Sequence, residues 1–276
     1  MTYEELWHSL TAIYEPGEAQ AIVKLLLDVR FSLSVTDVYC GKVTQLSAND
    51  QAILQEMMHR LQQAEPVQYV LGQADFCGRI FQVAPGVLIP RPETEELCNW
   101  IMTDGLRYPA LLDIGTGSGC IAITLALNIP GAQVSAWDIS PEALRVAREN
   151  VVRLSAPVGI LCQDALNPPQ DEDKWDIIVS NPPYIMNQEA EQIHRNVMAY
   201  EPHLALFVPN DNALLFYRAI ARYAASALRS GGALYFEINP LCHAQMQQML
   251  TEFSFVDITT RNDQFGKPRM MRAKKK

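Results

Sequence analysis

The hydrophobic pattern changes period along the chain. From Pro16 onward, Ala19, Ile22, Val23, Leu26 and Leu27 recur at i, i+3, i+4 spacing, with Pro16 suited to a first helical turn. Behind Asn49, a candidate N-cap, Ile53, Leu54, Met57, Met58 and Leu61 form a second apolar stripe. Short amphipathic helices bury such stripes only against one another, so residues 1–73 read as a small helical bundle. Between Pro66 and Pro92 the texture changes. Glycines and prolines punctuate short β-like pieces, among them GRIFQVAP and GVLIP, and 74–92 reads as a hairpin-containing connector.

From Ala110 short apolar runs alternate with helical stretches. The predicted strands are 110–114, 133–139, 158–164, 176–181 and 233–239; the predicted helices are 118–129, 141–154, 211–229 and 241–252. Repeated β–α alternation demands a mostly parallel, doubly wound sheet. Two further strands, 255–261 and 268–274, are joined by NDQFGK, too short for a crossover helix, so they should pair antiparallel. The expected fold class is therefore α/β: a seven-strand, Rossmann-like sheet with a C-terminal antiparallel hairpin over 93–276, plus the N-terminal helical bundle.

Composition narrows the class. The chain has 276 residues, 49% hydrophobic and 19% charged, as expected of a globular protein with a real core. No apolar run approaches the ~20 residues that span a bilayer, and the start MTYEELWHSL lacks the basic and apolar regions of a signal peptide. Six scattered cysteines without CxxC spacing read as reduced, mostly buried thiols in a cytoplasmic protein, and five histidines show no metal spacing, so no metal is expected. The net charge is −9. Seven basic residues against one acid leave +6 over the last 16 residues, and hence −15 over the first 260. An acidic body is a poor platform for a phosphate backbone, and the basic end reads as a solubilising tail rather than a nucleic-acid arm.

Two loops carry the chemistry. Asp113-Ile114-Gly115-Thr116-Gly117-Ser118-Gly119 lies where a strand ends and a helix begins, where glycines admit close backbone approach and a helix N-terminus offers free N–H groups. A bare turn is the alternative, and the spacing is not the dinucleotide G-x-G-x-x-G. Asp138 ends the next strand, where acids bind ribose hydroxyls, and Asp164 ends the third, near where an adenine amino group would lie. Each acid alone could be a cap or turn residue. As a set, three acids at consecutive strand ends suit an amino acid joined to a nucleoside, which describes S-adenosyl-L-methionine.

The second loop is Asn181-Pro182-Pro183-Tyr184. The prolines make it stiff and leave carbonyls as free acceptors, Asn181 adds an amide oxygen as a further acceptor, and Tyr184 adds an aromatic face with a polar tip. That combination suits a planar –NH₂ group. Such a nitrogen delocalises its lone pair, so it must be aimed at an electrophilic methyl carbon, and acceptors on its N–H groups stabilise the charge that develops.

DIGTGSG followed by NPPY resembles a class I S-adenosylmethionine-dependent methyltransferase acting on an amino group of a planar system. Leu88-Ile89-Pro90-Arg91-Pro92-Glu93-Thr94-Glu95 resembles the IPRPxTE segment of the release-factor glutamine methyltransferases (the PrmC/HemK family), and the order of all elements matches that family. The resemblance implies methyl transfer to the side-chain amide nitrogen (N5) of the glutamine in the Gly-Gly-Gln motif of class I peptide chain release factors, with S-adenosyl-L-homocysteine as the product. By position, Asp113, Gly115, Thr116, Gly117, Ser118, Gly119 and Asp138 would hold the methionine and ribose parts, with Asp164 and Ala165 near the adenine. Asn181, Pro182, Pro183 and Tyr184 would hold the glutamine amide, with Asn181, Pro182 and Tyr184 catalytic and Asn181 also beside the cofactor. Arg91, Thr94 and Glu95 would shape the pocket, an ion pair being the alternative for Arg91. The bundle would help dock the release factor. Some relatives carry an aromatic residue at Ala165, and FEIN (236–239) has asparagine where glycine is usual; Glu237 reads equally as a pocket residue or a cap. The segment 185–210 resembles a substrate-side flap and is expected to order with substrate. A monomer without nucleic-acid or membrane partners is expected. The rival readings are an NPPY-type amino methyltransferase of RNA or DNA bases, and a cofactor-binding module without catalysis.

Overall fold

The computed structural model describes residues 1–105 and 109–276. The protein divides into two compact units, Met1–Gln73 with His194–Tyr200, and Ala74–Ile193 with Glu201–Lys276.

The first unit is helical: α1 (Tyr3–His8), α2 (Pro16–Phe31), α3 (Val35–Tyr39), α4 (Ala48–Gln62) and α5 (Val67–Leu71). The apolar stripes meet as expected, with Leu26, Leu27, Leu54 and Leu61 fully buried together. The cap of α4 is Ser47 rather than Asn49: its Oγ accepts from Asp50 N at 3.1 Å, and Asn49 lies inside the first turn. A short hydroxyl closes the N-terminal turn and starts the helix two residues early.

The second unit opens with a hairpin, β1 (Gln73–Phe76) and β2 (Arg79–Gln82), followed by α6 (Pro92–Thr103). GVLIP forms no strand, contrary to the sequence reading; Pro85, Pro90 and Pro92 supply no N–H for a ladder there. Alternation then follows through β3 (Ala110–Ile114), α7 (Cys120–Asn128), β4 (Gln133–Asp138), α8 (Pro141–Arg153), β5 (Val158–Cys162) and β6 (Trp175–Ser180). The 185–210 segment, expected to be a substrate-side flap, contains β7 (Ile185–Met186), α9 (Arg195–Tyr200), α10 (His203–Leu206) and β8 (Phe207–Val208), with β7 and β8 paired in parallel. Tyr200 donates to the Gln63 carbonyl at 2.8 Å within the first unit. The last elements are α11 (Leu215–Ala227), β9 (Leu228–Glu237), α12 (His243–Glu252), β10 (Val256–Asn262) and β11 (Pro268–Lys274).

The main sheet has seven strands in the order β10-β11-β9-β6-β3-β4-β5. Strands β9, β6, β3, β4 and β5 run parallel, and β11 pairs antiparallel with both β9 and β10. Helices on both faces explain why β3 and β6 are nearly continuous apolar runs. The order reverses between β3 and β6, which places the ligand crevice of such a sheet beyond their carboxyl ends.

Two expectations change. The basic end is no free tail: β11 lies inside the sheet, and Arg269, Arg272, Lys274 and Lys275 pair with Asp263, Asp104, Asp257 and Asp173. Of the six thiols, only Cys98, Cys120 and Cys242 are buried.

One polar side chain organises the crevice from behind. Asn150 of α8, fully buried, accepts from Gln82 N (2.7 Å) and donates to the carbonyls of Gln82 (3.0 Å) and Ser118 (2.9 Å). It thus ties the hairpin to the glycine loop. Asn150→Ala strands three backbone groups and should cost about 2–4 kcal/mol in denaturant unfolding.

Candidate active site

Ile114 at the end of β3 stands opposite Ser180 at the end of β6, and Ser180 Oγ donates to the Ile114 carbonyl at 2.6 Å. The glycine loop and the NPPY loop therefore leave the sheet side by side. One cavity reaches both, lined by Gly115–Ser118, Asp138, Asp164, Ala165, Asn181, Pro182 and Pro183 among others.

The glycine turn is held from below. Gly115 N and Thr116 N both donate to the Trp137 carbonyl at 2.9 Å, and Thr116 Oγ1 donates to Asp113 at 2.6 Å. Gly115 (φ +76°) and Gly117 (φ +57°) have open space where a Cβ would stand, so the turn is bare backbone. Gly119 serves a different purpose: a Cβ there would come 3.1 Å from Ile123 Cδ1 and 3.5 Å from Ala147, so it permits close helix packing and does not line the cavity.

The three strand-end acids occupy different settings. Asp113 is fully buried and lies behind the cavity wall; one oxygen takes Thr116 Oγ1 and Ala122 N, and Oδ1 has no partner. Burial pushes its carboxyl up to about 7 against the pull of those donors. Asp138 lines the cavity and accepts from Gly117 N (2.8 Å) and Ser140 N (2.9 Å), with burial again raising its pKa. Asp164 falls two residues beyond β5 rather than at its end; it organises a turn through Leu166 N and Asn167 Nδ2 while still facing the cavity.

At the NPPY loop, Asn181 donates through Nδ2 to Thr94 Oγ1 at 3.2 Å, and Thr94 donates to Glu237 Oε2 at 2.6 Å. Asn181, Pro182, Pro183 and Thr94 line the cavity; Tyr184 does not. Instead of covering a ligand, Tyr184 donates its hydroxyl to Glu237 Oε1 at 3.0 Å, and its carbonyl, expected to be free, accepts from Asn239 Nδ2 at 3.1 Å. Burial beside a carboxylate raises the phenol's pKa and keeps it a donor. Asn239, the departure from the usual glycine, also donates to Glu189 and caps Leu241 N.

Arg91 lines the cavity and is ion-paired with the buried Glu201, which also accepts from Ile89 N at 3.2 Å. Glu95 is separated from the site: its carboxylate takes Cys77 N at 2.8 Å, because adjacent positions on α6 project roughly 100° apart. The sequence reading missed the apolar walls, Val87, Ile139, Leu204, Phe216 and Ile220. Only Ile139, a half-exposed aliphatic residue directly after a strand-end acid, offered a signal.

S-adenosylmethionine can be tested against this donor set. The buried Ser118 Oγ on the cavity wall, open space over Gly115 and Gly117, an acceptor-rich Asp138 and apolar walls suit a ligand combining an ammonium, hydroxyls and a flat base. The residues fit.

Known proteins agree. Residues 7–72 match the family model of the PrmC N-terminal domain, and residues 97–204 match that of the methyltransferase small domain. A solved 16S rRNA methyltransferase of T. thermophilus, in complex with AdoMet and guanosine, superposes with a TM-score of 0.56 at 21% identity, covering 74% of this chain and 50% of that one. The fold is that of the class I S-adenosylmethionine-dependent methyltransferases. The release factor glutamine methyltransferase of Bacteroides thetaiotaomicron is 47% identical over 266 residues, 96% of each chain. That of Flavobacterium psychrophilum is 39% identical over 269 residues (96% of this chain, 94% of that one), and that of Streptococcus pneumoniae 39% over 243 (87% and 86%). This chain belongs to the release factor glutamine methyltransferase family.

Asp113 makes stability depend on pH in a defined direction. An unfolded chain releases this proton near 4, the folded one near 7, so the native state binds more protons between these values and loses stability as pH rises through them. Asp113→Asn escapes this cost. Its stability relative to the parent should be level near pH 4 and higher by on the order of 1–4 kcal/mol above pH 7, read by urea unfolding without cofactor.

Proposed function

We propose that the protein transfers a methyl group from S-adenosyl-L-methionine to the side-chain amide nitrogen (N5) of the Gly-Gly-Gln glutamine in class I peptide chain release factors. The observation that carries this reading is the shared cavity, which joins a bare glycine turn to a proline-flanked asparagine whose donor side is already occupied.

Gly115, Thr116, Gly117 and Ser118 would hold the amino-acid part of the cofactor, Asp138 the ribose, and Asp164 with Ala165 and Ile139 the adenine. Asp113 and Gly119 shape that turn from behind. When bound, the cofactor supplies a methyl carbon made electrophilic by sulfonium and departs as S-adenosyl-L-homocysteine. Asn181 Oδ1 and the Pro182 carbonyl accept the two N–H groups of the glutamine amide and aim its nitrogen at that carbon. The same acceptors stabilise positive charge as the nitrogen gives up its lone pair, and the proton the methylated nitrogen then sheds passes out to solvent. Thr94 and Tyr184 hold the loop, Arg91 holds the wall through Glu201, and Glu95 anchors the hairpin. The apolar walls keep water from the reacting carbon.

The −15 charge of the first 260 residues favours a protein partner over bare nucleic acid, and the pairing of the basic end within the sheet removes the arm that would grip phosphates. The helical unit would dock the release factor. A monomer working in the cytoplasm fits this role; among the described residues no helix is long and apolar enough to cross a membrane.

Incubation with labelled cofactor and purified release factors should place one methyl on the Gly-Gly-Gln glutamine by mass spectrometry, and none on a version lacking it. Labelling of RNA or DNA in place of the factor would overturn the reading in favour of base methylation. Asn181→Ala should lower kcat by ~10²–10³-fold while cofactor Kd moves less than about threefold by calorimetry.

A further inference from the structure

Glu237 ends β9, fully buried next to the NPPY loop, since Phe236 stands opposite Ser180 in the sheet. Each of its oxygens takes one hydroxyl: Oε1 that of Tyr184 and Oε2 that of Thr94. Burial raises this carboxyl's pKa, while the two hydroxyl donors and then Arg269 pull the other way, toward the carboxylate, which can only accept.

The consequence is directional. A threonine hydroxyl has a single proton, and at 2.6 Å from Glu237 that proton is committed. Thr94 Oγ1 can then offer only lone pairs to its other neighbour, so Asn181 must turn its NH₂ toward Thr94, 3.2 Å away. A side-chain amide has two chemically opposite ends. Anchoring the donor end leaves the acceptor end, Oδ1, for the cavity that Asn181 lines.

We propose that Glu237 is a positioning and specificity-determining residue. Acting through Thr94, it locks the Asn181 amide with its oxygen toward the substrate, so that the site accepts a carboxamide and rejects a carboxylate. The inference rests on the reading above that Asn181 receives the glutamine amide. A buried acceptor oxygen is relayed, through one hydroxyl and one amide, into an outward-facing acceptor. A glutamine satisfies that acceptor with N–H; a glutamate brings two more acceptors and is repelled. The other oxygen does the same service for the far end of the loop by fastening Tyr184.

Glu237→Gln brings an NH₂ group to face one of the two hydroxyls. Toward Thr94 it reverses the relay: Thr94 accepts from Gln, donates to Asn181, and the asparagine presents NH₂ to the substrate. Thr94→Val is close in shape and removes the relay; Thr94→Ser keeps it. Three quantities should be measured on the full-length protein: kcat with a release factor, Kd for S-adenosylhomocysteine, and the ratio of Kd values for release factors bearing Gly-Gly-Gln and Gly-Gly-Glu with that product bound.

Glu237→Gln and Thr94→Val should lose ~30–300-fold in kcat and shrink the Gln/Glu discrimination about tenfold, with product Kd within about threefold; Thr94→Ser should recover most of both. A discrimination ratio unchanged in Thr94→Val, or an equal loss in Thr94→Ser, would overturn the inference. Should Glu237→Gln fail to fold, the two Thr94 variants decide alone. A parent enzyme that neither methylates nor binds Gly-Gly-Gln defeats the underlying reading and the inference with it; a parent active on Gly-Gly-Gln beside indifferent variants defeats the inference only.

Discussion

Everything at this site depends on two parallel strands ending in step. Because β3 and β6 are neighbours with Ile114 opposite Ser180, the turn that leaves one and the loop that leaves the other begin within a hydrogen bond of each other. Strands in a parallel sheet share direction, so their carboxyl ends necessarily crowd on one edge, and the reversal of strand order opens the gap between them. The glycine turn and the NPPY loop can then share one cavity without either strand bending. The serine hydroxyl that joins the two ends gives the Ile114 carbonyl a buried hydrogen-bond partner there.

The edge is also where the fold accumulates buried acids. Asp113, Asp138 and Glu237 stand at the ends of β3, β4 and β9, and burial raises the pKa of each. Among the described residues, none has a lysine or arginine hydrogen-bonded to it. Backbone N–H groups of the glycine and Ser140 turns, or hydroxyls of Thr94, Thr116 and Tyr184, do that work. Fixed dipoles hold a carboxylate in place while leaving its remaining lone pairs for something else, which a salt bridge would not. Burial costs stability at all three positions; of them Asp138 lines the cavity, while Asp113 and Glu237 support the loops that do.

Much of this was legible in the sequence itself. The period of the apolar residues located every strand of the main sheet, and the short NDQFGK link gave the antiparallel pairing of β10 and β11, because no helix fits into six residues. The two loops announced themselves through residue types with few alternative uses, glycines at a strand end and consecutive prolines. What escaped was whatever depends on which way a side chain turns. Thr94 and Glu95 are neighbours in one motif, yet one lines the cavity and the other pins Cys77. Tyr184 reads as an aromatic lid and is instead fastened to Glu237. The apolar walls from the 86–90 stretch and α11 carry no chemical signature, since a leucine or valine facing a ligand looks like one facing a core. The basic C-terminal run misled for a similar reason: its charges are snorkelling ends of a strand whose apolar residues, Met271 and Ala273, are buried.

Asn150 shows how far such hidden demands extend. It must give two protons and take one, fully buried, among groups on the β1–β2 hairpin and the glycine loop. Aspartate has nothing to give, leucine nothing to exchange, and glutamine is a methylene too long. A position that does not line the cavity is thereby as narrowly constrained as one that does, and a survey of inactivating substitutions would flag it beside the cavity residues although its whole role is joinery.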